Sequence, residues 1–69
     1  MTADKQELLG AQNDVLYAVW CAIADEIDAE AAKDPADRRE GFIDGLTVAA
    51  IVAKNHLNQV RQQIGLTLL

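Results

Sequence analysis

Asp34-Pro35-Ala36-Asp37 divides the 69-residue chain into two segments of nearly equal length. Proline is favoured at the first position of a helix, where no N–H is needed, and an aspartate before it can cap the helix through its carboxylate. Asp37 then falls at the third helical position, where a negative charge favours the exposed amides. We therefore predict that Asp34 caps a second helix, which begins at Pro35.

Both segments carry an apolar stripe at helical spacing. In the first segment the stripe consists of Leu8, Leu9, Val15, Leu16, Val19, Trp20, Ile23 and Ile27. In the second it consists of Phe42, Leu46, Ala49, Ala50, Ala53, Leu57, Val60 and Ile64. Gly65 follows the second stripe and is a natural C-terminal stop. Each segment is therefore predicted to be an amphipathic helix that packs against the other.

The predicted fold class is all-α, an antiparallel two-helix hairpin in a single domain over residues 1–69. Helix 1 should run from about residue 4 to residue 33, beginning near Thr2 or Asp4, and helix 2 from about 35 to 64. A short apolar tail, residues 65–69, follows. In a hairpin folded at Asp34, the numbers of facing residues should add to about 68, which places Gln12 near His56.

A single hairpin of 7.5 kDa buries little apolar surface. The free energy gained by that burial barely offsets the conformational entropy lost when the chain folds. We therefore expect the hairpin to dimerise into a four-helix bundle. The stretch 46–53 is apolar nearly all round, so one partner helix cannot cover it. The predicted oligomer interface consists of Gly41, Gly45, Val48, Ile51 and Val52. The alternative is an ordinary helix that tolerates two glycines.

The formal charge of −5 is unevenly distributed and makes this an acidic protein. Residues 25–44, at the loop end of the hairpin, carry most of the acids, whereas the later half of helix 2 carries Lys54 and Arg61. Like charges repel, so we predict an antiparallel homodimer with its two loops at opposite ends. The negative charge also argues against general nucleic-acid binding, which depends on clustered Lys and Arg.

The sequence contains no motif that predicts catalysis, a cofactor or a metal centre. Serine is absent, and Cys21 and His56 are the only cysteine and histidine. We expect Cys21 to be a partly packed, unreactive thiol and His56 to be a polar boundary residue, and two straight helices offer no concave pocket. The acidic residues Asp25, Glu26, Asp28 and Glu30 diverge around a helix, so a solvated acidic face is preferred over a cation site.

We expect the protein to be cytoplasmic. The first residues lack the basic and then apolar order of a signal peptide, and no apolar stretch approaches the ~20 residues that span a bilayer. A lone cysteine fits a reducing compartment.

The predicted function is that of a small interaction module, a regulator, inhibitor or assembly factor of the bacterial or phage kind, and not an enzyme. Tyr17, with Asp25 and Asp28, is the candidate surface for binding another protein, since exposed aromatic residues anchor interfaces. Two alternatives remain open: a nucleic-acid-binding four-helix-bundle regulator, and an acidic inhibitor that imitates phosphates.

Overall fold

The computed structural model describes residues 3–69 and shows two helices packed against each other in a hairpin. Helix α1 spans Ala3–Ala31 and helix α2 spans Glu40–Gln63, with a 3₁₀ turn at Pro35–Asp37 between them. The hairpin is long and thin, with extents of 53 × 16 × 14 Å. The all-α hairpin is thus confirmed, whereas the predicted start near Thr2 lies outside the described residues.

The predicted start of the second helix was wrong. Pro35 does occupy the first position of a helical element, but that element is the 3₁₀ turn. The side chain of Asp34 makes no capping bond, and its backbone carbonyl instead accepts a hydrogen bond from the N–H of Asp37 at 2.8 Å. The chain then becomes extended at Arg38, with ψ 136°, before α2 begins at Glu40.

The predicted stop at Gly65 is confirmed. Gly65 has φ 78°, a left-handed conformation that glycine adopts without steric cost. Its N–H donates to the carbonyl of Gln62 at 3.3 Å, and the N–H of Leu66 donates to the carbonyl of Arg61 at 2.8 Å. These two bonds form a Schellman motif, which satisfies the last carbonyls of α2 and reverses the chain direction.

The contact between the helices is a narrow seam. On each helix the covered residues recur in alternating steps of three and four, the spacing of an antiparallel coiled coil. The seam of α1 comprises Leu9, Asn13, Leu16, Trp20, Ile23, Ile27 and Glu30. The seam of α2 comprises Ile43, Leu46, Ala50, Ala53, Leu57, Val60 and Ile64. All of these side chains are buried or half-buried.

The predicted stripes were broader than the seam. Leu8 and Val15 were assigned to the core, yet they are 59% and 62% exposed, and Val19 and Phe42 are exposed as well. The physical reason is geometric, because one partner helix covers only a strip along the line of contact, whereas the apolar surface of α1 extends well to one side of it.

The predicted register was also offset. The side chains of Asn13 and Arg61 are joined by a hydrogen bond of 3.2 Å, and their numbers add to 74 instead of the predicted 68. The cause is the connection between the helices, which occupies residues 32–39 and is not a sharp fold at Asp34. Its centre lies further along the chain, so every residue of α1 faces a later residue of α2.

Candidate interaction surfaces

The loop end is closed by a clasp around one carboxylate, that of Glu30. Oε1 of Glu30 accepts hydrogen bonds from the backbone N–H and from Nε of Arg39, both at 2.9 Å. Oε2 accepts one from Nη2 of Arg39 at 3.1 Å and pairs with Nζ of Lys33 at 2.8 Å. The guanidinium of Arg39 also lies 4.1 Å from the centre of the Phe42 ring. Glu30 thereby ties the end of α1 to the residue before α2.

Glu30 was predicted to belong to a solvated acidic face, and this was wrong, since only 3% of the residue is exposed. The hydrogen bonds from Arg39, followed by that from Lys33, hold the pKa of this carboxyl far below its ordinary value. The same contact raises the pKa of Arg39. A buried carboxylate is stable here because its oxygens receive donors on all sides and lie beside the positive end of α2.

The other members of the acidic cluster behave as predicted. Asp25, Glu26 and Asp28 are all exposed. Among the residues that the structure describes, no three His, Cys, Asp or Glu side chains are grouped so that they could hold a metal ion.

A groove opens on one side of the seam, near the free end of the hairpin, where α1 begins and α2 ends. Its volume is about 550 Å³, it is open to solvent, and α1 contributes Ala11, Gln12, Val15 and Leu16 to its walls. Helix α2 contributes His56, Gln59, Val60 and Gln63. The expectation that the hairpin has no concave surface was therefore wrong. Gln12 and His56 both line this groove, but the observed register offsets them by roughly 9 Å along the hairpin, so the prediction that they face each other was wrong.

The groove belongs to a longer apolar surface, which we call the open face. Residues three or four apart on a helix share a side, so the groove-lining rows continue towards the loop. On α1 the exposed apolar members of the row are Leu8, Val15 and Val19. On α2 the row continues through Val52, Ala49, Gly45 and Phe42. The open face is therefore built by both helices.

The five predicted interface residues are all exposed, but they do not share one side of the hairpin. Gly45 and Val52 lie on the open face, whereas Gly41 and Val48 lie on the back of α2, facing away from the seam. Ile51, which is 54% exposed, lies on the other side of α2, in line with Lys54 and Asn58. A substituted Cβ at Gly41 or Gly45 would meet no atom within 4 Å.

The side opposite the open face is polar and carries the predicted partner-binding residues Tyr17 and Asp28, with Asp25 at its edge towards the back of α1. Tyr17 is 45% exposed, and its ring stands edge-on to that of the half-buried Trp20, with 6.0 Å between the centroids. Asp28 shares the side of Tyr17 but lies roughly 16 Å further along the helix. Cys21 lies between them and is half-buried, as the prediction of a partly packed thiol required.

The C-terminal tail also folds onto this polar side. The backbone N–H of Leu69 donates to Oδ1 of Asn58 at 2.9 Å, and the Asn58 amide donates to the carbonyl of Leu69 at 3.3 Å. Nε of Arg61 donates to the carbonyl of Thr67 at 2.6 Å. The tail was predicted only as a short apolar segment, and these polar contacts were not foreseen.

No protein-family model matches the chain, and comparisons with curated proteins and with solved structures find no similar protein. Within the described residues, neither helix has a stretch that is long and apolar enough to cross a bilayer. Function must therefore be argued from the surfaces themselves.

Proposed function

We propose that this chain is a small cytoplasmic protein-interaction module, a regulator, inhibitor or assembly factor, whose working unit is a dimer of hairpins. The observation that carries the proposal is the apolar surface that a single hairpin leaves uncovered. Among the residues that the structure describes, the buried apolar side chains are Leu9 of α1 and Ala53, Leu57 and Val60 of α2. A core this small calls for a second chain.

The exposed area supports the same proposal. The hairpin exposes 4788 Å², whereas a compact protein of this mass exposes about 4,250 Å². The excess of roughly 540 Å² per chain approaches the ~800 Å² that each partner buries in a standard interface. To be as compact as an ordinary domain of twice the mass, which exposes about 7,000 Å², the pair would have to bury roughly 1,270 Å² of each hairpin, an area in the range of obligate dimers.

Nucleic-acid binding receives less support, because most of the basic side chains are already engaged. Arg39 and Lys33 bind Glu30, Arg38 donates to the carbonyl of Lys33 at 3.0 Å, and Arg61 binds Asn13 and Thr67. Phosphate binding would have to break these contacts before any counterion is released.

Sedimentation equilibrium at micromolar concentration tests the dimer. We expect a species of twice 7.5 kDa and a melting temperature that rises with protein concentration. A folded monomer at 7.5 kDa would contradict the proposal.

The charge of the loop ends supports an arrangement with the two loops apart. A fluorophore or spin label on Ala36→Cys, in a Cys21→Ala background, should report a separation on the order of 40 Å between the two chains. A short separation would mean that the loops lie together and that apolar packing overrides the charge.

The polar side, with Tyr17, Asp25 and Asp28, is the proposed surface for a second protein. A partner captured by the wild-type dimer should be lost with Tyr17→Ala and retained with Gln62→Ala, an exposed control on α2. Equal capture by the two variants would remove Tyr17 from the binding surface.

A further inference from the structure

We infer that the open face is the surface on which a second copy of this chain docks, so that both helices contribute to the dimer. The inference rests on the proposed dimer but replaces an interface confined to α2. Val15 and Leu8 of α1 are more exposed than Val52 or Phe42 of α2, and they lie on the same side of the hairpin. An interface that left α1 uncovered would leave the most exposed apolar side chains of this face in water.

The charge distribution identifies the occupant as another copy. The open face carries few titratable side chains, namely Lys5, Glu26 and His56, and the Arg39 guanidinium lies over the Phe42 ring at its loop end. The opposite side carries more of them: Glu7, Asp14, Asp28, Asp44, Lys54 and Arg61. A strongly basic or acidic partner would find few counter-charges on the open face. A second copy of a chain with net charge −5 approaches most easily where its own charges are fewest, and that side is the open face.

The shape of the face also suits a copy of itself. The groove of about 550 Å³ is large enough to receive apolar side chains such as the partner's own Leu8 or Val15. Gln12, Gln59 and Gln63 line it, and amides are both donors and acceptors, so amides of two copies can bond to one another. Open space around Gly45 lets a helix approach α2 closely.

Two variants that each add one carboxylate distinguish an interface on the open face from an interface on α2 alone. Val15 is 62% exposed on the open face, and Ile51 is 54% exposed on the other side. We expect Val15→Glu to weaken dimerisation by roughly 100-fold or more, because each copy would bring an unpaired carboxylate into the interface. Ile51→Glu should leave the dimer dissociation constant within about threefold of the wild type, since its carboxylate stays in water.

Thiol accessibility provides a second measurement that does not depend on the Val15 variant folding. In a Cys21→Ala background, Gln12→Cys places a thiol in the groove and Gln62→Cys places one away from it. The modification rate at position 12 should fall by tenfold or more as the protein concentration rises through the dissociation constant. The rate at position 62 should not change.

The outcomes distinguish the two claims. A wild-type chain that stays monomeric overturns the proposed dimer and this inference together. A wild-type dimer that survives Val15→Glu, or that Ile51→Glu weakens as strongly, overturns the open face alone. Concentration-independent modification at position 12 in a dimeric protein overturns it as well.

Discussion

The loop end and the free end of the hairpin differ in how a polar residue of the α1 seam is bound. Near each end the seam of α1 contains one polar residue. Each of these residues binds an arginine that is not itself a member of the α2 seam. At the loop end the carboxylate of Glu30 binds Arg39, and at the free end the amide of Asn13 binds Arg61. The first pair spans only a loop, whereas the second joins residues far apart in sequence.

The surroundings of these pairs differ as well. Within the described residues, all four buried apolar side chains lie towards the free end, among them Leu57 with no exposed surface, whereas the buried polar residue, Glu30, lies at the loop end. The free end is therefore held mainly by apolar burial, and the loop end by charge. We therefore expect pH to act on one end of this molecule and large-to-small substitutions chiefly on the other.

The largest effect is expected from Leu57→Ala. Removing a fully buried leucine should lower the free energy of unfolding by about 3 kcal/mol. Leu46→Ala, which truncates a half-buried seam residue nearer the loop, should cost about half as much. Urea denaturation of both variants at one protein concentration measures the difference. Equal losses would show that apolar burial is shared evenly between the two ends.

A smaller loss is expected from Glu30→Gln. The amide nearly preserves the shape of the side chain but removes the charge that binds Arg39 and Lys33, so the melting temperature should fall by several degrees. Asp28→Asn, two residues earlier, exposed and on the polar side, is the control that removes one charge, and it should change little. If both variants have the melting temperature of the wild type, the contacts of Glu30 with Arg39 and Lys33 contribute nothing to stability.

The pH dependence of stability should follow from the same residue. The pKa of Glu30 is lowered in the folded state from an ordinary value of 4.5. Its contribution is therefore fully present above about pH 5 and is lost as the pH falls through 4.5 towards the folded pKa. Thermal melts of the wild type at pH 6 and pH 3 should differ by more than those of Glu30→Gln. Parallel profiles of the two proteins would assign the acid sensitivity to other groups.

The smallest effect is expected at the free end, from Arg61→Met. The aliphatic part of the side chain is retained, while the hydrogen bonds to Asn13 and Thr67 are lost, at a cost of about 1 kcal/mol. Unlike the loss at Glu30, this one should be nearly the same at pH 6 and pH 4. Urea titrations at both values test it, and a loss confined to the higher pH would indicate an ionic role that the structure does not show.

The hairpin itself was predictable, because Asp34-Pro35, two apolar stripes and Gly65 all indicate the same two helices. What the sequence could not decide was which part of a broad stripe one partner helix covers, so Val15 and Leu8 were assigned to the core. That choice depends on the line of contact between the helices, and side-chain type alone does not reveal it.

Glu30 was missed for a different reason. Within a run of acidic residues, composition marks all of them as exposed. The signal that could have found it is positional, since the steps of three and four that link Trp20, Ile23 and Ile27 lead directly to Glu30. Its partner Arg39 lies in the loop, where no periodicity predicts contacts. Of the open face, the sequence predicted part of the α2 contribution, Gly45 and Val52, but none of the α1 contribution.

The Schellman turn at Gly65 has a practical consequence for handling the protein. Because the turn sends the tail back along α2 until Leu69 reaches Asn58, a polypeptide fused after Leu69 would leave from the side of the hairpin instead of its tip. That side is the polar one. A fluorescent protein, an affinity tag or a surface tether joined there should leave the apolar groove unobstructed, which makes the C-terminal position the natural choice for immobilising the chain.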